Sequence, residues 1–175
     1  FIINIMNTPY FKKYQPKYYK DFTIDKEYIE LLNTMKKIDN LNILLVGDPG
    51  CGKTSLLYAT IREYYNLDKI PKQNIMLINN LKEQGIQYYR TQVKTFCQTP
   101  SCVIGKKKFI VIDDIDLINE QSQQVFRNCI DKYNHNVHFL CSCTNTQKVI
   151  DSIQSRCAII KIKPIQKHIL KNILK

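Results

Sequence analysis

The chain has 175 residues, 44% of them apolar, with 26 Lys and Arg against 15 Asp and Glu for a formal net charge of +11. That length fits one domain, or one domain plus a fragment, and a domain near this size buries about 68–70% of its unfolded surface. No run is long enough to span a bilayer, the N-terminus lacks the charged-then-apolar layout of a secretion signal, and no membrane partner is expected.

Seven cysteines, odd in number and irregularly spaced, argue against a disulfide framework and fit a reducing compartment. Cys97 and Cys102 have no second pair at matching spacing, and His135, His138 and His168 fall in no ligand pattern, so no zinc site is expected. The positive charge has two readings, a solvated lysine-rich surface or affinity for phosphate backbones, and only position can choose between them.

In chain order, residues 25–38 carry apolar positions at Tyr28, Ile29, Leu31, Leu32, Met35 and Ile38, which is a helical stripe. Strands are predicted at 42–47, 74–79, 108–113, 137–143 and 158–162, with helices at 53–65, about 83–97, 119–133 and near 146–153. Short apolar strands alternating with helices predict an α/β fold whose parallel sheet is covered on both faces. Pro164 closes the fifth strand, and 165–174 reads as the start of a further amphipathic helix.

Residues 47–54 read Gly47-Asp48-Pro49-Gly50-Cys51-Gly52-Lys53-Thr54, a complete G-x-x-x-x-G-K-T phosphate-binding loop. Ile43-Leu44-Leu45-Val46 supplies the strand before it, and Ser55-Leu56-Leu57 continues the helix behind it. A strand that ends in such a loop and opens a helix aims backbone N–H groups, reinforced by the helix dipole, at the β- and γ-phosphates of a nucleotide. Lys53 would neutralise phosphate charge, and the Thr54 hydroxyl would ligate Mg²⁺ beside ATP. A thiol at this helix start beside Lys53 is expected to be reactive, so Cys51 becomes a candidate for alkylation.

The second chemical feature is Phe109-Ile110-Val111-Ile112-Asp113-Asp114. An apolar strand that ends in two acids places them beside the phosphate loop of the neighbouring strand. Asp113 would hold Mg²⁺, and Asp114 would polarise the attacking water as general base.

With these features in order, followed by Ser155-Arg156-Cys157, the sequence resembles the AAA+ ATPases of sliding-clamp loaders, the small subunits of replication factor C. The stretch Pro9-Tyr10-Phe11-Lys12-Lys13-Tyr14-Gln15-Pro16 is similar to that family's P-W-V-E-K-Y-R-P box. Residues 77–97, 122–133 and 148–157 match three further boxes at the right spacing. The resemblance implies a P-loop AAA+ core over 1–163, with about five parallel strands between helices and the start of a helical lid over 164–175. It implies a longer protein, with the rest of the lid and a subunit-joining collar after residue 175.

It further implies that Tyr10, Phe11, Tyr14 and Pro16 pack on the adenine. Arg156 would be an arginine finger serving the next subunit's ATP. Thr144 would be the polar sensor of the γ-phosphate or water, with Asn145 the alternative one residue on. Gly85, Ile86, Arg90 and Lys94 would track a DNA backbone without reading bases. Gln123 and Arg127 would couple DNA to the ATP site; as residues alone they read equally well as a polar helix face.

Two departures bear on activity. The family has Glu where this chain has Asp114, one methylene shorter, which predicts slow hydrolysis. Its Ser-Asp-Asp-Arg-Gly becomes Leu81-Lys82-Glu83-Gln84-Gly85, losing one basic DNA contact. The expected function is an ATPase subunit that opens a sliding clamp and places it on primer–template DNA together with other loader subunits. The alternative is an ATP-binding scaffold subunit that hydrolyses nothing and lends Arg156 to its neighbour. The family works in nuclei, archaeal cells and large DNA viruses, and the abundance of Ile, Asn and Lys is at home in the last.

Overall fold

Strands built almost wholly of Ile, Val, Leu and Phe have no polar face to give to water, so the sheet they form must be covered on both sides. The computed structural model describes residues 15–22, 24–67, 70–78 and 85–164. Five strands, β1 (Ile43–Val46), β2 (Ile75–Ile78), β3 (Lys108–Ile112), β4 (Val137–Cys143) and β5 (Ala158–Lys161), form one sheet in the order β2-β3-β4-β1-β5. Every adjacent pair is parallel, in registers such as Leu45 opposite Ser142 and Ile112 opposite Cys141.

The helices are α1 (Lys26–Lys37), α2 (Lys53–Tyr65), α3 over 86–98, α4 (Glu120–Tyr133) and the short α5 (Asp151–Gln154). Alternate residues of β3 divide between two cores. Phe109 and Val111 pack with Ile43, Leu45 and Leu140 against Leu56, Leu57 and Ile61 of α2 and Leu32 of α1. Ile110 and Ile112 pack with Leu44, Phe139 and Cys141 against Val93 of α3 and Phe126 and Ile130 of α4. Fully burying one side chain of this size contributes about 1.5–3 kcal/mol, so the two layers fix the sheet between its helices.

Three expectations need correction. The acid-bearing β3 is not adjacent to β1: β4 lies between them, because the chain crosses over after β1 to lay down β2 and β3 and only then fills the gap with β4. The helix expected near 146–153 is broken into a 3₁₀ turn, Thr146–Lys148, and α5; Val149 between them is extended and buried, its side chain in the α4-side core. Finally, α3 is not one regular helix. It starts at Ile86 behind Gly85, passes through a π-helical stretch at Tyr89–Val93, and ends as the α-helical Lys94–Gln98. The expected start of a lid over 164–175, apart from Pro164, lies outside the described residues. All five strands point the same way, so the loops leaving β1, β3 and β4 meet at one edge.

Candidate nucleotide-binding site

Between β1 and α2 the backbone must turn sharply and approach its neighbours closely. Gly52 has φ +93, which an L side chain resists, and leads directly into α2. A Cβ on Gly47 would lie 2.8 Å from the Ile162 carbonyl oxygen and 2.9 Å from the Cys51 sulfur. The loop therefore requires glycine at both positions. Cys51 is only 8% exposed, its sulfur against Gly47, which removes it from the accessible position expected for a reactive thiol.

Lys53 is buried, and its ammonium donates to the carbonyls of Gly47 (2.8 Å) and Asp48 (3.1 Å). The Thr54 hydroxyl lies 3.1 and 3.0 Å from the two carboxylate oxygens of Asp113. Across the gap between β1 and β3, the Ser142 hydroxyl of β4 donates to Asp113 Oδ1 at 2.5 Å and accepts the Asp114 N–H at 2.9 Å. One buried serine thus fixes both acids. Sequence reasoning passed over Ser142; the available signal was a lone hydroxyl between Cys141 and Cys143, at the end of a strand that is otherwise apolar from Phe139 onward.

Asp114 has φ +53, a left-handed conformation that Asp tolerates better than most residues. Burial, then the neighbouring Asp113, push its pKa up, which is the direction a general base requires. Asp116, in the 3₁₀ turn Ile115–Leu117, faces opposite forces. Burial would raise its pKa, but bonds from the Thr144 hydroxyl and from the Asn145 and Thr144 amides outweigh it and hold the group below the ordinary range. Those bonds measure 2.6 Å, 3.1 Å and 3.1 Å, all to Oδ2.

A cavity of about 470 Å³ opens here. Pro49, Gly50, Gly52, Lys53, Thr54 and Ser55 form its loop side, and Asp114, Asp116, Leu117 and Thr144 form the opposite side. Thr144 lines the cavity. The Asn145 side chain instead accepts from the Gln147 N–H at 2.9 Å, capping the turn that follows. Gly47, Asp48 and Cys51 belong to the loop but do not line the cavity.

Thr54 and Asp113 offer hard oxygen donors, the type Mg²⁺ prefers. Among the described residues no group of three or more His, Cys, Asp or Glu is arranged to hold a metal. The donors present therefore fit an ion that takes most of its ligands from phosphate and water. Of the N-terminal box, Tyr10, Phe11 and Tyr14 lie outside the described residues. Pro16 is half-buried, and its neighbour Gln15 reaches Ser55 at 3.4 Å.

The remaining predicted residues lie elsewhere. Arg156 does not line the cavity. Its Nε donates to Asp131 Oδ1 at 2.5 Å and its guanidinium donates to the Ser152 carbonyl at 2.7 Å, while Arg127 approaches the other Asp131 oxygen at 3.4 Å. Arg90 and Lys94 line a second groove of about 370 Å³ between α3 and α4, joined by Lys132, Gln121, Gln124 and Asn128. Gly85 and Ile86 form the start of α3. Gln123 is no polar face: it is fully buried, donates to the carbonyls of Ile118 and Lys148 at 2.9 Å, and accepts from Ile150 N–H at 2.9 Å. It ties α4 to the loops after β3 and β4.

Residues 43–165 match the model of the AAA family, the ATPases associated with various cellular activities. The chain belongs to that family. This AAA protein is 32% identical over 97% of its length to the replication factor C small subunit of Methanococcus maripaludis, covering 54% of that protein. It is 32% identical over 94% of its length to the replication factor C small subunit of Methanothermobacter thermautotrophicus, covering 50%. Against replication factor C subunit 4 of Saccharomyces cerevisiae identity is 28% over 97%, covering 53%. The chain thus spans about half the length of the curated relatives it matches. These are archaeal and yeast proteins, and they lend no support to a viral source.

Among solved structures, the AAA fold superposes on the Thermotoga maritima RuvB Holliday junction branch migration motor. The TM-score is 0.70 at 18% identity, covering 93% of this chain and 53% of that one. A DNA polymerase III gamma subunit-related protein of the same organism gives a TM-score of 0.64 at 18% identity, covering 80% and 48%. Such likeness speaks for the fold alone.

Proposed function

We propose that this chain is the nucleotide-binding core of a clamp-loader subunit, which binds ATP with Mg²⁺ and hydrolyses it while a sliding clamp is opened and placed on primer–template DNA. The observation that carries this reading is the clasp of Thr54, Asp113 and Ser142 behind a complete phosphate loop, in a chain whose curated relatives include archaeal replication factor C small subunits and yeast replication factor C subunit 4.

In this reading Lys53 leaves the loop carbonyls for the terminal phosphates. Thr54 and Asp113 would hold Mg²⁺, which when bound neutralises phosphate charge and orients the nucleotide. Asp114 takes a proton from the attacking water. Arg156, already held by Asp131, serves the nucleotide of the adjacent subunit, so the working unit is a hetero-oligomer. Arg90 and Lys94, with Lys132 beside them, line a groove suited to a sugar–phosphate backbone. Such a protein would work in the nucleus of a eukaryote or the cytoplasm of an archaeon.

The test is reconstitution with partner subunits and clamp. Lys53→Ala should abolish ATP binding by this chain. Arg156→Ala should leave that binding intact and lower turnover at the neighbouring site by roughly 10³-fold. Unchanged turnover after Arg156→Ala would remove the trans role.

A second reading, a scaffold subunit that binds ATP without cleaving it, draws support from Asp114 in place of the family's Glu. Single-turnover hydrolysis at this subunit's own site, with neighbouring sites disabled, separates the two: no product above background favours the scaffold.

A further inference from the structure

Asp116 lies three residues beyond Asp113, lines the nucleotide cavity and is only 7% exposed. Three donors converge on its Oδ2: the Thr144 amide, the Asn145 amide and the Thr144 hydroxyl, the last at 2.6 Å. Its Oδ1 is sealed from solvent and has no hydrogen-bond partner among the described residues. Three donors on one oxygen offset the burial of this carboxylate, but they leave its second oxygen unmatched, a cost that packing alone does not explain. Its place at the cavity wall calls for a further explanation.

That explanation lies in the direction of one proton. Two backbone amides can only donate, so the oxygen they share carries no proton of its own. The Thr144 hydroxyl must then donate to it as well, and its single hydrogen is committed to Asp116. Any bond that this hydroxyl oxygen makes to a ligand in the cavity must then use its lone pairs. Such an oxygen cannot bond a phosphate oxygen, which is also an acceptor. It can accept from water. Asp114, on the same wall, is a second acceptor. Two acceptors for the two hydrogens of one water leave its lone pair free to face phosphorus.

Resting on the nucleotide-binding reading above, we propose that Asp116 is a positioning residue that fixes Thr144 as a hydrogen-bond acceptor, so that Thr144 orients the attacking water and makes no bond to the terminal phosphate. In the hydrolytic step the water oxygen bonds to the γ-phosphorus as the bond to the β–γ bridging oxygen breaks. One water proton passes to Asp114, the bridging oxygen keeps the electron pair, and the other hydrogen stays on the former water oxygen, now part of the released phosphate, hydrogen-bonded to Thr144 Oγ1.

The test compares Thr144→Val, Thr144→Ser, Asp116→Ala and the double variant Asp116→Ala/Thr144→Val. Affinities for fluorescent ATP and ADP with Mg²⁺ are measured on this chain, and single-turnover hydrolysis is measured in the assembled complex. Thr144→Val should keep the ratio of ATP to ADP affinity within about twofold while hydrolysis falls about tenfold or more; Thr144→Ser should restore most of the rate. Asp116→Ala should fall to the Thr144→Val level, and the double variant should be no slower than either single one, since both changes remove the same device.

A fivefold loss of ATP-over-ADP preference in Thr144→Val would overturn the proposal, as would multiplicative loss in the double variant. Should Asp116→Ala fail to fold, the Val and Ser variants decide alone. If the unsubstituted chain binds no ATP, or binds it equally after Lys53→Ala, the nucleotide reading itself fails, and this proposal with it.

Discussion

The Ser142 hydroxyl donates to Asp113 Oδ1 at 2.5 Å from a strand that stands between the phosphate-loop strand and the acid-bearing one. Because β4 intervenes, Asp113 would otherwise reach Thr54 across an unsupported gap. Ser142→Ala should remove that support without enlarging the core. Since partners of metal-holding groups commonly affect metal affinity or activity by 10–100-fold, we expect about a tenfold weaker Mg²⁺ dependence of ATP binding. A Mg²⁺ titration monitored by fluorescent ATP checks this; an unchanged midpoint would mean that Thr54 alone suffices.

The phosphate loop makes a steric prediction. Gly47→Ala places a methyl group 2.8 Å from the backbone oxygen of Ile162, which has no flexible side chain to move aside. Overpacking of this kind costs about 1–3 kcal/mol. Thermal unfolding should show the loss in the absence of any nucleotide, which separates it from an effect on binding.

His138 gives the chain a pH-dependent weakness. Its Nδ1 accepts the Leu41 N–H at 3.3 Å, so Nε2 carries the proton toward Asp39 Oδ1, 3.2 Å away. Burial first, then Lys107, push the imidazole pKa from 6.5 to about 4, against the opposing pull of Asp39. The unfolded chain therefore takes up this proton before the folded one does. The stability from this residue is fully present above about pH 6.5 and declines as the pH falls toward 4, by about 2 kcal/mol between pH 7 and pH 5. Denaturant midpoints of the unsubstituted chain and of His138→Gln across that interval should converge as the pH drops. Parallel curves would assign the loss to other groups.

Alkylation should follow exposure. Cys102 is the exposed thiol, whereas Cys51 is buried within the phosphate loop. Mass spectrometry after brief treatment with iodoacetamide should find Cys102 modified first and Cys51 protected with or without ATP–Mg²⁺. Rapid labelling of Cys51 that ATP blocks would show that the loop opens readily.

Much of this architecture was legible in the residues. Runs such as Phe109–Ile112 admit little but a buried parallel strand, and Gly47–Thr54 carries its geometry in its glycines. What escaped depended on the third dimension. The insertion of β4 between β1 and β3 follows from crossover packing that no local pattern encodes, and with it the role of Ser142 was missed. Gln123 reads as polar surface by type, yet it is enclosed because its amide meets the carbonyls of Ile115, Ile118 and Lys148 and the Ile150 N–H at once. Lys108, one of a run of three lysines, is buried beneath α3 with its ammonium on the Phe96 carbonyl and on Thr99 Oγ1 at 2.6 Å. Composition gave no reason to separate it from its solvated neighbours. The π-helical turn was equally hidden, since Tyr89–Val93 contains no residue foreign to an α-helix.

That π turn has a consequence for the basic groove. Each such turn holds more residues than an α-helical one, so the side chains beyond it are rotated about the axis relative to a regular helix. Arg90 lies within the widened segment and Lys94 just after it, and the two cations line one groove together with Lys132 of α4. The pitch of this helix, and not its composition alone, therefore sets where the positive charge of the groove stands relative to the start of α3.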